Sequence, residues 1–151
     1  MHLDIIFLDI DGVLIPDNQE RRDIFDPECV MQLRRILDTC PKAHVVFSTT
    51  KRMGFSFFKM GWLWRHLDLP LDRAIARTPD SRRRHRGEEI ELWLSEAPRL
   101  MPTHSVRRYA VLDDEPEPIL EKIPNQNVFS CNPDQGLTKA IADRVIRHFQ
   151  I

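Results

Sequence analysis

Short β-branched runs alternate with helical patterns along this chain, and that alternation confines it to an α/β fold with a mainly parallel sheet. Strands are expected from Asp4 to Leu8, Ala43 to Ser48, Ala74 to Arg77, Tyr109 to Leu112 and Val128 to Ser130. Asp26 is a capping residue for a helix with Pro27 in its first turn, Val30, Leu33 and Leu37 on one face, and Pro41 closing it. Phe57, Met60, Trp64 and Leu67 repeat at helical spacing before Pro70, although Gly61 interrupts them. A further helix is expected from about Glu88 to Ala97, with Ile90, Trp93, Leu94 and Ala97 on one stripe and Pro98 beyond its end. Thr138 caps a last helix that turns Ile141, Val145 and Phe149 inward, and a short helical turn surrounds Ile119 and Leu120. These elements make a three-layer sandwich around a central sheet, read as a single domain over residues 1–151.

Three of the strands end in polar residues of compatible chemistry. Asp9 and Asp11 follow the apolar run Ile5 to Leu8, and side chains one residue apart in a β-run point the same way. Two carboxylates so close repel unless a cation lies between them or one keeps a proton. Gly12 then allows a sharp turn. The strand from Ala43 runs into Ser48-Thr49-Thr50, and the strand from Tyr109 runs into Asp113-Asp114. Ligands of open parallel sheets bind beyond the carboxyl ends of the strands, so the three clusters are expected to meet at one edge. Hard oxygen donors without His or Cys favour magnesium.

Global composition adds exclusions. The net charge is −1, which argues against a strong nonspecific nucleic-acid binder. Cys29, Cys40 and Cys131 are odd in number and widely spaced, as reduced thiols of a cytoplasmic protein would be. The N-terminus lacks the basic start of a secretory signal, and no run approaches the roughly 20 apolar residues of a membrane span.

The remaining polar residues have work to do in a phosphoryl transfer. One aspartate attacks phosphorus to form an acyl phosphate, and a second passes a proton to the leaving oxygen and takes one from water. A hydroxyl such as Thr50 bonds the phosphoryl oxygens while a fixed cation balances their charge. The basic run Arg82-Arg83-Arg84-His85-Arg86 precedes the helix expected near Glu88. As a whole it reads as a solvated loop, whereas Arg86, nearest the helix, is positioned to clamp a phosphate.

With these residues the chain resembles the haloacid dehalogenase-like phosphatase superfamily. FLDIDGVL is similar to the first motif, VVFSTT to the second and VLDDE to the fourth. The resemblance implies a Rossmann-like core, with Asp9 as nucleophile and Asp11 as general acid/base. It implies magnesium held by Asp9, Asp113 and Asp114 together with Asp11, the last through its main-chain carbonyl. Thr50-Lys51-Arg52 has the form that polynucleotide 3'-phosphatases of the superfamily often show, which brings Thr49 and Arg52 in as substrate contacts beside Gly12 and Arg84. RGEEIELWL, YAVLDDE and NPDQGLT are similar to the small domain of this superfamily in Swiss Army Knife RNA repair proteins, a likeness running from Leu3 to about Ile146.

The pattern departs in three places. The third motif usually supplies Lys, where this chain offers Arg84 or Arg86; Val13 stands where Thr is frequent; and Glu115-Pro116-Glu117 follows Asp113-Asp114 in place of a further Asp. The segment from Ile15 to Phe25 is too short for a sizeable cap domain, so the site is expected to be open. An open site suits a phosphorylated nucleic-acid end, for which Arg73, Arg77 and the Arg82 to Arg86 run offer phosphate contacts. Trp62 and Trp64 are placed to stack bases, though burial is their commoner use. Two other readings stand beside this one: a phosphatase for a small metabolite or a phosphoprotein, with access controlled by a partner subunit, and a module that binds phosphorylated ends without turnover.

Overall fold

The computed structural model describes residues 1–18, 25–48, 64–65 and 67–151. Five strands, β1 (His2–Leu8), β2 (Ala43–Phe47), β3 (Ala74–Arg77), β4 (Ser105–Asp113) and β5 (Val128–Ser130), form one parallel sheet in the order β3-β2-β1-β4-β5. β4 starts earlier than its apolar run because Arg107 and Arg108 are strand residues with partners. Arg107 forks onto the buried Asp4 carboxylate at 2.9 and 2.6 Å, and Arg108 donates to the His148 carbonyl at 2.9 Å.

Helices α1 (Pro27–Thr39) and α4 (Lys139–Gln150) cover one face, and α2 (Arg86–Leu100) and the short α3 (Pro116–Leu120) cover the other. The strand period of two sorts the core accordingly: Ile6 and Leu8 pack with Leu33 and Val145, while Ile5 and Phe7 pack with Ile90 and Trp93. Asp26 caps α1 by accepting from the Cys29 amide at 3.1 Å, and Thr138 caps α4 through the Ile141 amide at 3.4 Å. Two expectations for α2 are corrected. It begins at Arg86, two residues before Glu88, and it carries Pro98 inside its last turn. A proline there removes a single intrahelical hydrogen bond, and the Met101 amide still returns to the Ala97 carbonyl at 2.8 Å.

Most of the helix expected from Phe57 lies outside the described residues, as does Trp62. Trp64 is core: it is buried edge-on against Phe47 with ring centroids 5.6 Å apart, and its Nε1 donates to the Pro70 carbonyl at 2.7 Å. Arg73 is not available for phosphate. Its guanidinium donates to the Ala43, Leu37 and Cys40 carbonyls at 2.6 to 3.0 Å, at the edge of the sheet where β2 begins. Among the described residues no helix is long and apolar enough to cross a membrane.

The chain winds outward from β1 through β2 to β3, then returns to place β4 on the other side of β1. This reversal opens a crevice at the carboxyl ends of β1 and β4, where the two strands are in register from Leu8 and Leu112. The Asp9 amide donates to the Leu112 carbonyl at 3.1 Å, which sets Asp9 beside Asp113.

Candidate active site

Asp9, Asp113 and Asp114 converge in that crevice, each offering a carboxylate oxygen within 4.8 Å of the others. Asp9 and Asp113 are 1% and 0% exposed, and Asp114 is half-buried. Asp11 is buried as well, but its carboxylate stands outside this group, so the expected carboxylate set shrinks by one. The main chain makes Gly12 obligatory. Its φ is +78°, and a Cβ there would fall inside the Asp114 carboxylate.

Arg86, the first residue of α2, reaches into the crevice. Its Nη1 donates to Asp113 Oδ2 and lies 3.2 Å from Asp9 Oδ2, at ion-pair distance but without hydrogen-bond alignment. The other oxygens are tied down: Asp9 Oδ1 accepts from the Ile10 amide and Asp113 Oδ1 from the Glu115 amide, both at 2.9 Å. Asp9 Oδ2 is therefore a buried oxygen without a hydrogen-bond partner.

Burial and the neighbouring Asp113 charge raise the Asp9 pKa well above the usual carboxylate value, with Arg86 opposing them. Burial likewise pushes Asp113 up to about 6 against the pull of Arg86. Burial alone would lower the Arg86 pKa, but Asp9 and Asp113 outweigh it and hold the guanidinium charged. A crevice of carboxylates short of cationic charge, with an orphaned oxygen on Asp9, fits a small hard cation. Asp113 does not close the set, because a carboxylate has about four lone-pair sites and two of its own are in use.

Arg84, the alternative cation, is exposed at φ +53° and makes no ion pair among the described residues. It borders an open cavity of about 190 Å³ lined also by Arg83, His85, Arg86, Glu115 and Pro118. Arg83 is turned away onto Glu88, and Arg77 lies 3.4 Å from Asp80. Ser48 is buried at the end of β2, with its amide on the Leu8 carbonyl at 2.8 Å. Thr49, Thr50 and Arg52 lie outside the described residues. The three cysteines are free and buried; burial and Asp26 push Cys29 up to about 12, and burial raises Cys131 further, so neither supplies a thiolate near neutral pH.

The residue that reading the sequence passed over is His85. A helix start placed at Glu88 hid it inside a basic run, whereas a start at Arg86 makes it the N-cap of α2. Over residues 5–142 the chain matches the family model described as "HAD domain in Swiss Army Knife RNA repair proteins". No curated protein and no solved structure matches it.

Proposed function

The chain belongs to this family of haloacid dehalogenase (HAD) domains, and on that footing we propose that it is a magnesium-dependent phosphomonoester hydrolase working through an aspartyl phosphate on Asp9. One observation carries the reading: Asp9 Oδ2 is buried, has no hydrogen-bond partner and faces Arg86, the side-chain cation that, among the described residues, reaches this carboxylate group. A nucleophile needs such a free oxygen, and the fixed guanidinium beside it opposes the burial and the Asp113 charge that favour its protonated form.

In this proposal Asp9 Oδ2 attacks phosphorus, the bond from phosphorus to the leaving oxygen breaks, and Asp11 delivers a proton to that oxygen. Asp11 then takes a proton from the water that attacks the acyl phosphate, which frees Asp9 and releases inorganic phosphate. Arg86 balances charge at the transferring group while Asp113 holds it in place. Magnesium would be held by Asp9, Asp114 and Asp113 with the Asp11 main-chain carbonyl, and when bound it neutralises phosphoryl charge. Thr50 is assigned a phosphoryl oxygen, and Gly12, Thr49, Arg52 and Arg84 the rest of the substrate.

The favoured substrate is a phosphate at the end of a polynucleotide or a nucleotide. Two features support it: the connection from Arg77 to Arg86 has no room for a cap domain, and exposed Arg84 borders a cavity next to the crevice. A phosphate-release screen tests the choice. Turnover with 3'-phosphorylated oligonucleotides should exceed that with sugar phosphates and phosphopeptides, and the reverse order overturns the substrate class.

A further inference from the structure

His85 is an uncommon N-cap, a position where Ser, Thr, Asp and Asn predominate. Both of its ring nitrogens are in use. Nδ1 accepts from the Glu88 amide at 3.2 Å, and Nε2 lies 2.6 Å from Glu121 Oε2. A nitrogen that accepts carries no hydrogen, so the tautomer satisfying both contacts has its hydrogen on Nε2 and donates it to Glu121.

The residues around the ring are bound back onto α2. The His85 amide donates to Ser81 Oγ at 2.7 Å, the Ser81 amide donates to Glu89 Oε2 at 2.9 Å, and the Glu89 amide donates to the His85 carbonyl at 3.0 Å. Glu121 ends α3, the short helix that follows Asp113-Asp114 almost at once. The first turn of α2 lies hard against it: a Cβ on Gly87 would meet the Pro118 carbonyl oxygen at 2.7 Å and Lys122 Cβ at 3.1 Å.

These contacts close a circuit. From Arg86 it crosses to Asp113, follows the chain through α3 to Glu121, and returns through the His85 ring to Arg86. We propose that His85 is a positioning residue: by capping α2 with one ring nitrogen and holding Glu121 with the other, it fixes Arg86 against Asp113 and so sets where the phosphoryl cation stands. The proposal rests on the phosphatase reading for its consequence, since a clamp displaced by an ångström costs an enzyme turnover while leaving the fold intact.

Four variants separate the roles of the ring. His85→Asn keeps a capping acceptor and loses the arm to Glu121; Glu121→Ala removes the arm from the other side; Glu121→Gln restores an acceptor; His85→Ala removes cap and arm together. Side-chain NMR of the Arg86 guanidinium, assigned by its absence in Arg86→Lys, reads the geometry directly. Its Nε–H signal should broaden or move in His85→Asn and in Glu121→Ala and recover in Glu121→Gln, with melting temperatures near that of the parent. In turnover of an aryl phosphate, His85→Asn and Glu121→Ala should lose about tenfold or more in kcat with KM little changed. An unmoved Arg86 signal in both variants overturns the inference, whatever the activity. A moved signal in a protein that hydrolyses no phosphomonoester upholds the positioning and overturns the phosphatase reading beneath it.

Discussion

The Arg86 guanidinium donates to the Asp113 carboxylate across the gap between the first turn of α2 and the end of β4. The pair is almost wholly buried, and it places the same cation 3.2 Å from Asp9 Oδ2. Removing the cation leaves the buried Asp9 and Asp113 carboxylates without the positive charge that lies between them. Arg86→Ala should therefore lower turnover by about 100-fold or more, on the scale of deleting a charge-stabilising donor. Arg83→Ala removes an exposed pair with Glu88 and should change turnover by less than about twofold. Steady-state phosphate release checks both, and equal losses would contradict Arg86 as the charge-balancing group.

Protonation of the carboxylates gives a second expectation. Asp113 titrates at about 6 in the fold, above the roughly 3.9 of an unfolded chain, so between those values the folded state holds more protons. The stability contributed by neutral Asp113 is complete below about pH 4 and is lost as pH rises through about 6; Asp9 acts in the same direction. Without metal, the melting temperature should rise from about pH 7.5 to about pH 5 relative to an Asp9→Asn, Asp113→Asn double variant. Magnesium must displace those protons, so its own stabilising shift should shrink over the same interval. Thermal scans with and without magnesium decide it, and an equal magnesium shift at both pH values contradicts it.

Gly12 sets the third. An alanine there meets both a positive φ and the Asp114 carboxylate, so Gly12→Ala should cost on the order of 1–3 kcal/mol and turn Asp114 out of the group. Magnesium titration by calorimetry should show weakened binding in the folded variant. Unchanged affinity would remove Asp114 from the metal set.

At the opposite edge of the sheet, Arg107 grips the buried Asp4 with two hydrogen bonds and also donates to the Phe149 carbonyl at 2.7 Å. This pair fastens β1, β4 and the end of α4 together without touching the crevice. Asp4→Asn should cost roughly 1.5–3 kcal/mol and about 5–10 °C in melting temperature. Its kcat at a temperature where it is folded should match that of the parent, and a large loss of kcat would tie the two edges together.

The sequence disclosed the strand ends better than it disclosed what lies between them. Asp9 and Asp113 were legible because each closes an apolar run, and a parallel sheet brings such ends to one edge. The start of β4 was not, because Arg107 and Arg108 read as loop residues until Asp4 and the His148 carbonyl appear as their partners. Arg73 was counted as a phosphate contact although it precedes Ala74 and so stands at the amino end of β3, away from the carboxyl ends where ligands bind; its three carbonyl partners hold it there. Asp11 counted as a fourth converging carboxylate by strand alternation, yet the chain leaves β1 after Leu8, so alternation no longer governs it. His85 went unread for want of the right helix boundary.

In the proposed mechanism Asp9 carries the phosphoryl group during turnover. Mass spectrometry of protein acid-quenched while turning over an aryl phosphate with magnesium would detect that adduct. The peptide containing Asp9 should gain the mass of one phosphoryl group, and Asp9→Asn should show neither the adduct nor phosphate release. Undiminished turnover in Asp9→Asn, or an adduct on any other residue, would contradict it.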